Sequence, residues 1–430
     1  MRVVKSCILF VLLICVLCAC SDNLADNADE AGNSGRKTLT VWGWGDFNAN
    51  AIETAKNYYA RIDPDIDVIF ETMTQNEIIS KLSIAFSARD YDGLPDIALV
   101  EDYSIQSFLR QFPGELRPMP GNVNASDFME FKIRALTYDG SVYGVPFDSG
   151  VAVLFYRSDY IAEAGYSTED MNELTWDKFI EIGEAVREKT GKAMMSIAPS
   201  EIEQIRLMMH SAGKWYVEDD GKTVNLVNND ALKAAIRTYI RLIDSGIAMQ
   251  VADYTYKTND LVDGVVATMP GGCWRVNQLI PISDQSGKWA VTKIPRMSEI
   301  ESSVNFASIG GSSWHIIDKS PGADLADDFL TSTFGSNIEM MNELGGRINA
   351  VSTLKTAGSQ PNYARNDEFF GGQQILKDFF DWSLRVPPVD YGTNTFAIEK
   401  IVQEAVQSIL QGADIDEALA IAQVKAEAAD

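Results

Sequence analysis

A chain of 430 residues that is 46% hydrophobic can bury one large core or two medium ones, which excludes a disordered or fibrous protein. Its formal charge of −25 repels nucleic acid and anionic lipid and disfavours polyanionic ligands, so a neutral polar solute fits best. Cys7, Cys15, Cys18 and Cys20 lie near the amino terminus and only Cys273 lies in the body, where the histidines are His210 and His315; no internal disulfide, zinc site or cofactor is expected.

The chain opens on an address. Arg2 and Lys5 precede the apolar run ILFVLLICVL, which ends at Leu17-Cys18-Ala19-Cys20, giving the three parts of a secretory signal peptide over residues 1–19. A run of about ten apolar residues is too short to cross a ~30 Å bilayer as a helix. The string LCAC resembles a bacterial lipobox, with Cys20 as the lipidated residue and new amino terminus. Residues 20–37 are polar, acidic and rich in Asn, Asp and Gly, and read as a flexible tether.

Thr38 to Trp42 reads as a buried strand, followed by a helix with Ile52, Ala55, Tyr59 and Ile62 on one face until Pro64. Ile66 to Phe70 is a second strand. Ile78, Ile79, Leu82, Ala85 and Phe86 keep helical spacing, and Ile97 to Val100 is a third strand. The order β-α-β-α-β predicts an α/β lobe with a mainly parallel sheet, whose strands end along one edge where ligands of open α/β sheets bind. Two of those ends carry aromatics beside carboxylates: Trp44 and Asp46 after the first strand, Glu101, Asp102 and Tyr103 after the third. An aromatic face covers the C–H side of a sugar and carboxylates accept from its hydroxyls, so the pattern points to a carbohydrate. The plain alternative is that Trp42 is core and Glu101 caps the next helix.

Tyr143 to Tyr156, YGVPFDSGVAVLFY, joins two apolar strands through Pro146, Asp148 and Gly150. Proline fixes φ where glycine frees it, a mixture that a crossing between two lobes needs. Thr175 caps a helix bearing Phe179, Ile180, Gly183 and Val186 that stops at Gly191, and Ser200 with Glu203 reads as a capping box for a helix with Ile205, Met208 and Met209 inward. His210 reads as a packed or surface histidine. Asp219-Asp220-Gly221-Lys222 signals a hairpin, and Asn229 or Asp230 starts a helix running to Gly246.

Gly264 to Met269 reads as a strand running into Pro270-Gly271-Gly272-Cys273-Trp274-Arg275, where the glycines allow close approach, Trp274 could stack on a ligand and Arg275 could donate to hydroxyls; the equal alternative is a tight turn before a helix near Val276 to Ile280, with Trp274 packed inside. Ala307 to Ile317, ASIGGSSWHII, repeats the apolar–glycine–apolar layout and reads as a second crossing, and Gly345 to Ala350 as a third. Helices over Ile375–Leu384, Ile398–Leu410 and Asp414–Ala428 close the chain.

Taken in order, TLTVWGW, DGLPDIALVED, YGVPFDSGVAVLFYRSDYIAEAG with LTWDKF, VVATMPGGCW, GGSSWHIIDKS before ADDFL, and DIDEALAIAQ resemble a family 1 extracellular solute-binding protein, the carbohydrate-binding lipoprotein of an ABC importer. The resemblance covers nearly the whole chain after the tether. It implies a type II periplasmic-binding-protein fold: an N-terminal lobe of residues 38–147 plus 311–347 and a C-terminal lobe of 148–310 plus 348–430, joined by a multi-crossing hinge. It implies a carbohydrate ligand held at Trp44, Asp46, Glu101, Asp102, Tyr103, Asp148, Trp274, Arg275, Gly310 and Gly311, with Trp215 and Arg347 as further candidates. It implies a monomer tethered to the outside of the bacterial membrane and delivering sugar to permease subunits with a separate ATPase, since this chain has no GxxxxGK[ST] loop. The rival from another class is a secreted glycoside hydrolase using paired cleft carboxylates. A third reading is an adhesive lipoprotein with no small-molecule ligand.

Overall fold

The computed structural model describes residues 37–199 and 201–429, so the expected signal peptide, Cys20 and the tether up to Arg36 lie outside the described residues. The first strand, β1 (Lys37–Gly43), pairs in parallel with β2 (Ile66–Thr72) on one side and β3 (Ile97–Glu101) on the other. Between them run α1 (Gly45–Tyr59), which buries Ala51, Ile52, Ala55, Tyr58 and Tyr59, and α2 (Gln75–Ala88). The start of α2 is fixed by a capping box: the Thr74 hydroxyl accepts from Glu77 N–H while the Glu77 carboxylate accepts from Thr74 N–H. The β-α-β-α-β reading of this region therefore holds, with one local correction. Helix α1 stops at Tyr59, and Ile62 lies in the turn before Pro64 with 61% of its surface exposed.

The sheet is completed from far along the chain. β8 (Ser312–Ile316) pairs antiparallel with β3 and with the short β4 (Val145–Pro146), giving the order β2-β1-β3-β8-β4. Apolar side chains cover both faces: Leu39, Val41, Leu99 and Trp314 on one, Trp42, Ala98, Val100 and Ile105 on the other. A second sheet has β5 (Ala152–Arg157) at its centre, antiparallel to β6 (Thr268–Gly272) and β7 (Trp289–Lys293). Here the strand expected over Gly264–Met269 is displaced toward the carboxyl end. Gly271 and Gly272 are not a turn but the last residues of β6, opposite Val153 and Ala152.

The helices that matter to the site are α3 (Asp102–Gln111), α4 (Glu130–Leu136), α5 (Trp176–Thr190), α6 (Glu203–Ser211), α7 (Asp230–Asp244), α8 (Ile338–Ile348), α9 (Thr395–Leu410) and α10 (Ile415–Ala428). Thr175 caps α5 and Asn229 caps α7 through their side chains, as their sequences predict. The capping box expected at Ser200 and Glu203 falls on Ser200, which lies outside the described residues; Ile202 stands at the start of α6, and the Glu203 carboxylate accepts from Lys257. Helix α8 runs straight through Gly345 and Gly346, which sequence had assigned to a crossing. A Cβ on Gly346 would lie 2.5 Å from Asn362 Nδ2, so glycine there lets the Asn362 side chain pack closely on the helix rather than making a bend. The helix ends one residue after Ile348, at Asn349 in the left-handed region (φ 55°).

Two segments, 147–151 and 308–311, link the two sheets, and a third, 349–352, which follows α8, lies beside them. Ser149 N–H donates to Val351 O (3.2 Å), Ile309 N–H to Gly150 O (2.8 Å) and Phe147 N–H to Ser312 O (3.2 Å), and Asp148 bridges Ser352. Gly150 takes φ 60°, and a Cβ there would come within 2.7 Å of Gly311 N. The backbones meet so closely that no side chain fits between them.

Candidate functional site

The carboxyl ends of β1 and β3 and the start of β8 share one sheet edge, with Asp102 N–H donating to Gly311 O (3.1 Å). Trp44 follows β1 as the residue before α1, half-buried, and Asp46 lies on the first turn of α1, exposed. Glu101 ends β3 half-buried, its Oε2 accepting from Gln75 Nε2 (2.6 Å). Burial pushes the Glu101 carboxyl above its ordinary pKa against the pull of that hydrogen bond and of Arg206.

The next two residues point elsewhere. Asp102 is buried and paired with Lys132, whose ammonium, itself without exposed surface, donates to Asp102 Oδ2 (2.5 Å), Asp148 O (2.8 Å) and Ser312 O (3.2 Å). Ser313 Oγ donates to the other Asp102 oxygen at 2.9 Å. Tyr103 lies with its ring stacked on Trp215 (5.6 Å, 20°) and edge-on to Tyr391 (4.5 Å). Its hydroxyl donates to Ser308 O and accepts from Gly310 N–H, each at 3.3 Å. Trp215 is buried, and its indole N–H donates to Thr395 Oγ1 at 2.6 Å.

Asp148 Oδ1 accepts from Ser312 N–H (2.5 Å) and Ser312 Oγ (3.1 Å). This carboxylate clamps the first crossing to the second. Gly310 and Gly311 both take positive φ, 73° and 92°, which suits them to that close passage. Trp274 stands half-buried across Gly310, its Nε1 3.7 Å from where a Cβ on Gly310 would lie. Arg275 is buried beneath it, its guanidinium 5.0 Å from the Trp274 ring centroid and 3.7 Å from Glu203 Oε1. Arg347 fastens α8 to α1 by donating to Asn50, Glu53 and Thr54.

Sequence reasoning passed over several polar residues that complete this region. Arg206 on α6 pairs with Glu399 on α9 at 3.3 Å and lies 5.4 Å over the Tyr103 ring. Burial pushes the Glu399 carboxyl up, with Arg206 opposing. Glu203, half-buried, is held below its usual range because Lys257 and Arg275 outweigh desolvation. Gln204 Oε1 and Arg206 Nε are buried without a hydrogen-bond partner, unusual for buried polar atoms in a folded protein. One signal for Lys132 stood in the sequence: in FMEFKIRAL it takes the helical register of Phe128, Ala135 and Leu136, a charge on an apolar face. Glu399 and Tyr391 had none, since only the fold brings them against α3 and α6.

The predicted groups thus divide. Trp44, Glu101, Asp148, Trp274 and Gly310 keep part of their surface exposed, and Asp46 and Arg347 are exposed, so these can meet a ligand. Asp102, Tyr103, Trp215, Arg275 and Gly311 are buried; Asp102, Tyr103 and Gly311, like Asp148 and Gly310, are engaged in holding the crossings, and Trp215 packs on Tyr103 and Tyr391. Half-buried aromatics beside hydrogen-bonding side chains suit a neutral polyhydroxy compound. Among the described residues no group of three or more His, Cys, Asp and Glu is placed to hold a metal, and no helix is long and apolar enough to cross a membrane.

Residues 50–371 match the family model described as "Bacterial extracellular solute-binding protein". The lactose-binding protein of Rhizobium radiobacter is 36% identical over 382 residues, covering 89% of this chain and 90% of that one. The arabinooligosaccharide-binding protein of Bacillus subtilis (strain 168) is 25% identical over 340 residues, covering 76% and 75%. Among solved structures, the cyclic alpha-maltosyl-1,6-maltose binding protein of Arthrobacter globiformis superposes with a TM-score of 0.74 at 19% identity, covering 92% of this chain and 99% of that one. These are binding proteins, and nothing among them supports the hydrolase alternative.

Proposed function

Because the chain belongs to the bacterial extracellular solute-binding protein family, we propose that it captures a sugar or oligosaccharide outside the cytoplasm and hands it to an ABC importer. The observation that carries this reading is the meeting of three segments, bound backbone to backbone, beside half-buried Glu101 and Trp274 from the two sheets. A ligand touching both lobes lowers the free energy of their closed arrangement, and no chemistry need follow. The two lobes are residues 38–147 plus 311–347 and residues 148–310 plus 348–430. Trp274 covers a sugar face, Glu101 accepts from hydroxyls, and Trp44 and Asp46 extend the site along the sheet edge. Asp102, Tyr103 and Asp148 set the crossings that bring these groups together. Cys20 carries the lipid that keeps the monomeric protein at the membrane, next to permease subunits served by a separate ATPase.

The relatives bind lactose and arabino-oligosaccharides, so these are the first sugars to test by calorimetry and thermal shift. A ligand held only by the folded state at 100 times its Kd stabilises it by about 2.7 kcal/mol, a rise in Tm of several degrees. If no saccharide of a broad panel raises the Tm, the sugar reading fails. Release of reducing ends from the same panel would replace it with hydrolysis.

A further inference from the structure

Resting on the sugar-capture reading, we propose that the site continues past Glu101 into an outer subsite walled by Phe396, so that the ligand is an oligosaccharide of at least three residues. A cavity of about 300 Å³ opens between α2, α3 and the first turn of α9. Its polar lining is Gln75, Asn76 and Ser83 from α2, Glu101, and Ser104, Ser107 and Gln111 from α3, with no lysine or arginine among the residues that line it. Amides and hydroxyls around one carboxylate select a neutral ligand rich in hydroxyls, and the absent cations disfavour an anion.

Phe396 forms the opposite wall with 46% of its surface exposed. The apolar face of α9 is Ile398, Val402, Val406 and Ile409, all buried in the core beside the second sheet, so Phe396 stands off the packing face. An aromatic ring kept in water over a cavity whose lining mixes apolar surface, Ile79 and Phe108, with amides and hydroxyls is the arrangement that stacks on a sugar. Glu101 joins the two spaces. Gln75 donates to it from the cavity, while Arg206, Asp102 and Glu399 act on it electrostatically from the inner site. Because α2 and α3 pack on the first sheet and α9 on the core of the second, a sugar seated here touches both lobes and adds to closure.

The test is calorimetry on the mature chain with lactose, galactosyl-lactose and digalactosyl-lactose, and in parallel with arabinobiose, arabinotriose and arabinotetraose. In the series that binds, affinity should rise about tenfold from disaccharide to trisaccharide, the upper range of one aromatic contact. Phe396→Ala should reduce that gain to under threefold while leaving the disaccharide within twofold of wild type, and Phe396→Tyr should keep the gain. Equal affinity for di- and trisaccharide, or an F396A loss that is the same at every length, overturns the outer subsite and leaves sugar capture standing. Failure of every saccharide to bind overturns both.

Discussion

Lys132 is a cation with no exposed surface, held by Asp102 Oδ2 and by the carbonyls of Asp148 and Ser312. A buried ion pair contributes little over an apolar pair of the same shape, but breaking one leaves an uncompensated charge. Lys132→Met should therefore cost about 3–5 kcal/mol in urea denaturation, and adding Asp102→Asn should recover part of the loss. Equal stability of the single and double variants would mean that Asp102 is not the stranded group. Trp274 was legible in the sequence as an aromatic just past a strand and a glycine pair, and it retains exposed surface. Trp274→Ala should weaken sugar binding at least tenfold with little change in Tm. Unchanged affinity would make Trp274 a packing residue. Asp102 was equally legible and was assigned to the ligand, because its residue type and strand-end position match those of Glu101; the ammonium that engages it comes from 30 positions away.

At the scale of elements, periodicity located β1, α1, β2, α2 and β3 closely, since the spacing of apolar side chains is written within each element. Two of the three expected crossings were also legible, through Pro146, Gly150 and the Gly310-Gly311 pair, whereas Gly345 and Gly346 belong to a helix. Their mutual pairing was not. Gly150 has both a left-handed φ and a backbone nitrogen 2.7 Å from any Cβ it might carry. Gly150→Ala should then cost about 2–4 kcal/mol and lower sugar affinity through the displaced crossings, whereas Gly121→Ala, with open space around it, should be near neutral. Asp148→Asn keeps an acceptor for Ser312 but loses its charge, so its effect should fall on stability first. A loss of affinity with unchanged stability would return Asp148 to ligand contact.

For the whole molecule, two buried histidines set a response to acid. His210 is pushed down to about 4 and His315 to about 3, in both cases chiefly by burial. His210 bonds Ser308 and the Pro387 carbonyl, while both His315 nitrogens lack a hydrogen-bond partner and Lys132 adds positive charge nearby. Their unfolded counterparts take up protons near pH 6.5, so the unfolded state binds more protons below that pH. Stability should fall as pH drops from about 6.5 toward 4. Glu101 and Glu399, raised by burial, act in the opposite direction at the lower end of this range, so the histidine part is isolated in a variant. His210→Asn should flatten the fall between pH 7 and pH 5 in urea titrations, and an unaltered slope would remove His210 from the account.

By itself the sequence determined the α/β elements of the first lobe, the close passages at Gly150 and Gly310-Gly311 and a preference for a neutral, hydroxyl-rich ligand, because periodicity and charge act over a few residues or over the chain as a sum. Only the tertiary structure decided which group each carboxylate meets. Asp102 meets Lys132, Asp148 meets Ser312, Glu203 meets Lys257 and Glu101 meets Gln75, half-buried at the cavity beside Phe396. Those partners lie 30, 164, 54 and 26 residues apart, distances over which local pattern carries no information and only folding chooses the neighbour.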